Sequence, residues 1–187
     1  MKKSYMIGKN FNTIRTICSP AGISDLPELI KIEEECDRYF AFDPQCELNH
    51  DCSLEDCIIK GDIPAGINQN DFKKENYFLY CIKLGGKIIG FFSYYLEYQQ
   101  KDSAYLSVLY IGEQYRRHGF GSEILNALTD KLITARFKTI RLHCSLRNST
   151  ALRFWVKNGF DRILNVETDG NLYLKNFGGL ELMKKIH

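Results

Sequence analysis

Residues Tyr105–Ser122 read YLSVLYIGEQYRRHGFGS, and the reading of this stretch decides the fold. It opens on an aromatic, β-branched and aliphatic run and crosses a short polar turn. It then gives Arg116-Arg117-His118-Gly119-Phe120-Gly121 before an apolar helical pattern. In physical terms this is a strand, a turn and a helix N-terminus, with glycines where a ligand can approach the backbone. The first N–H groups of a helix have no partner within it, and the helix dipole adds partial positive charge there. Such a terminus favours an anion, phosphate above all. Taken alone, the same residues also fit a plain helix cap with two solvated arginines, so the flanking chain has to choose.

Working outward, the residues before this stretch read as strands. Tyr77–Lys83, the Gly85-Gly86 turn and Lys87–Glu97 form a β-hairpin, and Gln99–Ser103 turns into the strand Ala104–Ile111. After it, a helix from Gly119 to about Phe137 carries Ile124, Leu125, Leu128 and Leu132 on one face. Thr139–Ser145 (TIRLHCS) is an alternating strand, and Ser149–Lys157 is a helix ended by Asn158-Gly159. Two last strands lie near Phe160–Leu164, continuing toward Leu174, and near Leu180–Ile186. On the N-terminal side, Thr13–Cys18 reads as a first strand. Asp25-x-x-Glu28, with Pro27, opens a helix that carries Leu29, Ile32, Cys36 and Tyr39 at helical spacing to about Phe40. Ala41–Cys52 reads as a loop around Pro44. Ser53-x-x-Asp56 starts a short second helix closed by Lys60-Gly61, and Asp62–Asn76 is irregular. Periodicity by itself gives an α/β class.

A second motif follows in LRNSTALRFWVKNGF (Leu146–Phe160): Asn148, Ala151, Phe154-Trp155 and Gly159-Phe160. With Arg116, Gly119 and Gly121 matching Arg/Gln-x-x-Gly-x-Gly/Ala, the chain resembles the GCN5-related N-acetyltransferase superfamily. The likeness is close over residues 77–186 and general in layout before that. It implies one domain over 1–187. Residues 13–76 would form the acceptor side, 77–160 the acetyl-CoA-binding core and 160–187 the C-terminal strands. The implied fold is that of the acyl-CoA N-acyltransferases, a mixed, mostly antiparallel sheet of about seven strands flanked by helices. In it, the parallel strands ending near Ile111 and Ser145 splay into a V-shaped slot for acetyl-CoA.

The resemblance also assigns roles. Arg116, Arg117, His118, Gly119, Phe120, Gly121 and Ser122 would cradle the diphosphate, mainly through backbone N–H groups. A Cβ at Gly119 or Gly121 would hold it off the backbone. Leu109, Tyr110 and Ile111 would offer backbone groups freed by a bulge to pantetheine and the thioester carbonyl; their other reading is core strand. Asn148 reads both as an N-cap and as a cofactor contact. Trp155 departs from the family, where Tyr is common and its phenol can protonate the leaving thiolate. An indole N–H only donates a hydrogen bond, so protonation falls to water or another group, and Trp155 packs on pantetheine or core. Glu97 is the carboxylate proposed as general base, against a solvated hairpin end. His143 stands beside the slot as an alternative, against a core histidine.

Composition sets outer limits. With 187 residues, 44% hydrophobic and 26% charged, the chain is long enough for one ordinary core. Net charge is only +2, which gives no reason to expect nucleic acid or an anionic membrane as partner. Nine acidic residues lie between Glu33 and Asp56 against Arg38 alone, an acidic region suited to a cationic amine or to a solvated helix face. The acceptor expected is a small-molecule or peptide amine, and the protein a monomer or homodimer. Met1-Lys2-Lys3-Ser4-Tyr5 lacks an apolar signal core, which points to the cytoplasm. Seven cysteines without a Cys-x-x-Cys pair read as reduced thiols, and Cys46, His50, Cys52 and Cys57 make a poor metal pattern, so no metal is expected. A coenzyme A-binding sensor without turnover is the competing function.

Overall fold

The Gly85-Gly86 hairpin is the centre of the architecture. Both glycines have positive φ (56° and 85°), the two-residue turn geometry whose twist matches that of paired strands. The computed structural model describes residues 9–40, 53–61, 72–168 and 178–186. In it the strands are β1 (Phe11–Asn12), β2 (Ile17–Pro20), β3 (Tyr77–Leu84), β4 (Lys87–Leu96), β5 (Ser103–Ile111), β6 (Thr139–Ser145), β7 (Arg162–Thr168) and β8 (Gly178–Lys185). They form one sheet in the order β1-β2-β3-β4-β5-β6-β8-β7. The helices are α1 (Leu26–Phe40), α2 (Leu54–Lys60), α3 (Phe120–Thr134) and α4 (Ser149–Lys157). Every strand pairing is antiparallel except β5 with β6.

Two cores hold the layers together. On one face Ile124, Leu125, Leu128 and Leu132 of α3 pack with Phe92, Tyr94, Leu106, Ile140 and Leu142 from the sheet. The apolar periodicity of α3 thus meets the alternation of the strands. On the other face Leu29 and Ile32 of α1 and Leu54 and Cys57 of α2 pack with Leu79, Cys81 and Phe91. A fully buried Leu or Phe contributes about 2 kcal/mol by removal from water, so these stripes account for which way each helix turns. Cys18, Cys57, Cys81 and Cys144 are buried thiols outside any disulfide. Burial pushes the Cys18 and Cys81 thiols up to about 12, which keeps them protonated.

The structure corrects several local expectations. Thr13–Cys18 is not one strand. Thr13 N donates to Thr16 O (2.8 Å) and Thr16 N donates to Thr13 Oγ1 (2.9 Å), folding residues 13–16 into a turn between β1 and β2. Hydroxyl-to-backbone bonds offer the chain an alternative to the strand that Thr and Ile favour by propensity, and they make the strand count eight, against about seven expected. The Asp25–Glu28 capping box also does not form. Asp25 Oδ2 instead accepts from Gly22 N (3.0 Å) ahead of α1, while Glu28 pairs with Lys31 (2.7 Å). Helix α3 stops at Thr134 rather than Phe137, because Arg136 takes positive φ (64°) and Phe137 turns into the core. The cap by Ser53 and the stop at Gly61 form as expected. The loop at 41–52 and most of the irregular stretch at 62–76 lie outside the described residues, as do Cys46, His50 and Cys52. Among the described residues no helix is long and apolar enough to cross a membrane.

One feature of the sheet positions the site. β5 and β6 are paired only over Ser103–Tyr105 with Thr139–Arg141. Beyond that row β5 continues to Ile111 bonded only to β4, and β6 continues to Ser145 bonded only to β8. The two parallel strands therefore part toward their C-terminal ends. A bulge at Ser107 adds to this: Ser93 faces Val108 while Tyr94 faces Leu106, leaving one extra residue on β5.

Candidate functional site

From the end of β5 the chain runs through Gly112 and a single 3-10 turn at Glu113–Tyr115 into the glycine stretch. Two contacts pin that passage. Gly112 N donates to Ile89 O (2.8 Å), and Glu35 of α1 reaches across to accept from Glu113 N (2.9 Å). Arg116 Nε then donates back to Ile111 O (2.9 Å). This side chain ties the turn to the strand, and it occupies one of the backbone carbonyls that the sequence reading offered to a ligand. Arg117 (φ 64°) and Gly119 (φ 85°) take left-handed conformations on either side of His118, the alternating geometry that gathers successive N–H groups into a concavity. His118 Nδ1 lies 2.8 Å from Arg116 O.

Gly119 is the N-cap of α3 and supplies no side-chain cap. The amides of Phe120, Gly121 and Ser122 thus begin the helix without acceptors from its own chain, at the positive end of its dipole. A Cβ on Gly119 would meet only Arg15 Nη2, at 3.5 Å. The fold does not need this glycine for space; its backbone conformation and the room in front of it are what it supplies. Gly121 differs, because a Cβ there would meet the Phe154 ring at 3.1 Å. Phe154 belongs to the second motif, so the two sequence signatures touch at Gly121.

Asn148 caps α4, its Oδ1 accepting from Ala151 N (2.9 Å), and it is 9% exposed. The side-chain group able to donate elsewhere is Nδ2. Asn148→Ala is expected to cost about 1 kcal/mol of stability through the lost cap, measured as a lower unfolding midpoint without ligand. Trp155 packs toward the core, edge-on to Phe160 (5.4 Å) and Phe154 (4.7 Å).

The carboxylate singled out by sequence, Glu97, is exposed at positive φ (59°) just after β4, where Glu97 N donates to Ser103 O. Ser103 is the first paired row of β5 and β6, so Glu97 sits at the closed end of the slot. The strand rises roughly 3.3 Å per residue, which puts this end roughly 25 Å from Ile111. Glu97 is not brought together with the glycine turn at 116–122. His143 stands elsewhere: counted from the paired row Ser103–Thr139, it is level with Ser107, two residues past the last paired row, where the strands have begun to part. Leu142 and Cys144 point into the α3 core, so His143 projects from the opposite face, and its Nε2 lies 3.5 Å from Glu167 Oε2 of β7. On the same face Arg141 is buried and donates through Nε to Glu181 (2.7 Å) and through Nη1 to Tyr98 O (3.2 Å), fixing the wall below. In the acidic region, Asp56 is already paired with Lys60 (2.6 Å) and Glu35 with the Glu113 amide.

Sequence reasoning missed a group of residues that reach this turn from far away. Glu123, in the first turn of α3, accepts from Thr13 Oγ1, from Arg15 N (2.6 Å) and from Arg15 Nε (2.7 Å). Arg15 Nη2 donates to His118 O (3.0 Å), and its guanidinium lies 4.2 Å over the Phe120 ring. Burial alone would raise the Glu123 carboxyl, but the bonds from Thr13 and Arg15 outweigh it and hold it below the usual range. A carboxyl depressed on folding adds stability above its unfolded range, and that stability is lost as pH falls through its folded value. Acid unfolding should therefore show a loss below the ordinary Glu range in the native chain that Glu123→Gln does not share.

Three comparisons bear on these residues. A family model described as "Acetyltransferase (GNAT) family" matches residues 30–160. No curated protein sequence matches significantly. Many solved structures share the fold. A probable GNAT-family acetyltransferase from Chromobacterium violaceum aligns at TM-score 0.72, with 11% identity, over 95% of this chain and 86% of that one. The ribosomal-protein-S18-alanine N-acetyltransferase of Escherichia coli aligns at 0.63, with 17% identity, over 91% and 94%. A spermidine N-acetyltransferase chimera from Vibrio cholerae and hSSAT aligns at 0.65, with 15% identity, over 91% and 95%.

Proposed function

We propose that this chain, which belongs to the acetyltransferase (GNAT) family, transfers an acetyl group from acetyl-CoA directly to a primary amine. The observation that carries the reading is the N-terminus of α3, left without a side-chain cap by Gly119 at φ 85° and tied by Arg116 to Ile111 at the end toward which β5 and β6 part. The residues present fit acetyl-CoA. Amides converge where a diphosphate would lie, among the described residues a Cβ on Gly119 would meet Arg15 Nη2 alone, and the length of β5 beyond Tyr105, unpaired on its β6 side, would offer backbone groups to an extended pantetheine arm. Acetyl-CoA, when bound, supplies an activated thioester.

The chain's own part in the reaction is positioning and proton management. The amides of Phe120, Gly121 and Ser122 would hold negative charge, and Asn148, its Oδ1 engaged by Ala151 N, would offer Nδ2 to the cofactor arm. Holding the two reactants together is itself a large contribution, since well-oriented intramolecular reactions reach effective molarities of about 10⁵–10⁸ M. The amine nitrogen attacks the thioester carbonyl carbon, the C–S bond breaks, and the acetamide and free coenzyme A thiol leave. One proton leaves the amine, and one reaches the thiolate. His143, held by Glu167, removes the first from the face away from α3. Water delivers the second, because the Trp155 indole faces Phe160 and has no proton to give at ordinary pH. The amine substrates named for the solved structures, an alanine of ribosomal protein S18 and spermidine, support an amine acceptor. A cationic one would suit the acidic α1–α2 region.

Trp155 favours a second reading, a module that binds coenzyme A without turnover. The experiment is free-thiol release from acetyl-CoA across a panel of spermidine, an aminoglycoside, and peptides with a free N-terminus or a lysine. Thiol release with the acetylated amine seen by mass spectrometry supports transfer. Binding of acetyl-CoA with no release for any amine supports the second reading.

A further inference from the structure

We propose that Arg15, from the turn between β1 and β2, is a positioning residue for the phosphate turn and the electrostatic counterweight that lets this helix terminus accept a diphosphate. The inference rests on the acetyl-CoA reading above and concerns the same site.

The geometry sets up a conflict of charge. Glu123 places a carboxylate, 8% exposed, in the first turn of α3. An anion there suits the helix dipole and would by itself repel a second anion arriving at the same N-terminus. Its charge is met from the N-terminal turn: Thr13 Oγ1, the Arg15 amide and Arg15 Nε all donate to it. The guanidinium then continues past Glu123. Nη2 donates to His118 O, and the plane lies against the Phe120 ring. One arginine thus bonds both sides of Gly119, the carbonyl before it and the carboxylate four residues after it. Its side chain remains 43% exposed, with Nη2 3.5 Å from where a Cβ on Gly119 would lie. A lysine could not do this, since it offers a point charge rather than a planar fork of donors.

Two roles make opposite forecasts. If Arg15 acts only as a tie, removing either partner loosens the turn and removing both is no better. If Arg15 neutralises Glu123, its removal exposes a carboxylate to the diphosphate, and deleting that carboxylate as well restores binding.

The test is calorimetric titration of coenzyme A into the full chain and its variants, with pantetheine as the probe that lacks phosphates. The native chain should bind coenzyme A. Arg15→Ala should bind it about tenfold or more weakly, the scale of one lost interaction with a charged group. Glu123→Gln should bind it at least as well as the native chain. Arg15→Ala/Glu123→Gln should recover most of the loss, and pantetheine affinity should be the same in all four. If Arg15→Ala unfolds, Arg15→Lys takes its place, with a smaller loss and the same rescue. Native affinity in the arginine variant, or a double variant no better than Arg15→Ala, overturns the inference while leaving the coenzyme reading standing. Failure of the native chain to bind coenzyme A overturns both.

Discussion

Gly119→Glu is expected to abolish coenzyme A binding while leaving the fold close to intact. The backbone there is left-handed (φ 85°), which costs a residue with a Cβ roughly 1–2 kcal/mol. The new side chain has room, since the nearest atom to its Cβ is Arg15 Nη2 at 3.5 Å. Its carboxylate would then accept from the same amides of Phe120, Gly121 and Ser122 that the diphosphate needs, and would cap the helix in doing so. Losing two or more charge-assisted hydrogen bonds at roughly 1.5–3 kcal/mol each corresponds to a loss of more than about 100-fold in affinity. Calorimetric titration reads it, with Gly119→Ala as the control for backbone strain alone. Affinity within about threefold of native in the glutamate variant would place the phosphates elsewhere.

His143→Gln carries the second large effect. With whichever amine the thiol-release screen identifies, kcat should fall about 100-fold or more, the scale of a lost general base. The dissociation constant for acetyl-CoA should stay put, because His143 lies on the face away from α3. Glu167→Gln should lower kcat less, since it removes the partner rather than the acceptor of the proton. A kcat within two- to threefold of native would assign proton removal to water or to another group. Glu97→Gln, at the closed end of the sheet, should leave both constants near native values.

How much of this was legible in the sequence depends on how local each signal was. The hairpin, β6 and α4 follow from alternation, from Gly85-Gly86 and from the Asn148 cap, each a matter of a few neighbouring residues, and their bounds are close to those read. Residues 13–16 were read as strand because Thr and Ile favour one, whereas the Thr13 hydroxyl bonds made a turn that propensity does not register. The glycine turn was readable because Gly119 and Gly121 answer to backbone geometry and close approach. Even so, the reason for Gly121 was partly hidden, since Phe154 packs on it from another helix. Arg15 and Glu123 lie 108 positions apart, and nothing at either position announces the other. The only local hint was an acid in the first turn of a helix expected to bind an anion, which would have invited a search for its neutralising partner. Glu97 and His143 show the same limit. The sequence places Glu97 late in the hairpin and His143 on the strand beside the slot, and only the parallel register of β5 with β6 distinguishes the closed end from the open one.

The measurement that bears most directly on the account is thermal unfolding of the native chain with and without acetyl-CoA. At about 100 times its dissociation constant, a ligand that binds only the folded state adds roughly 2.7 kcal/mol, enough to raise the midpoint by several degrees. The native chain should show that rise, and Gly119→Glu should lose it. An unchanged midpoint across millimolar acetyl-CoA would contradict the assignment of the α3 terminus as the cofactor site.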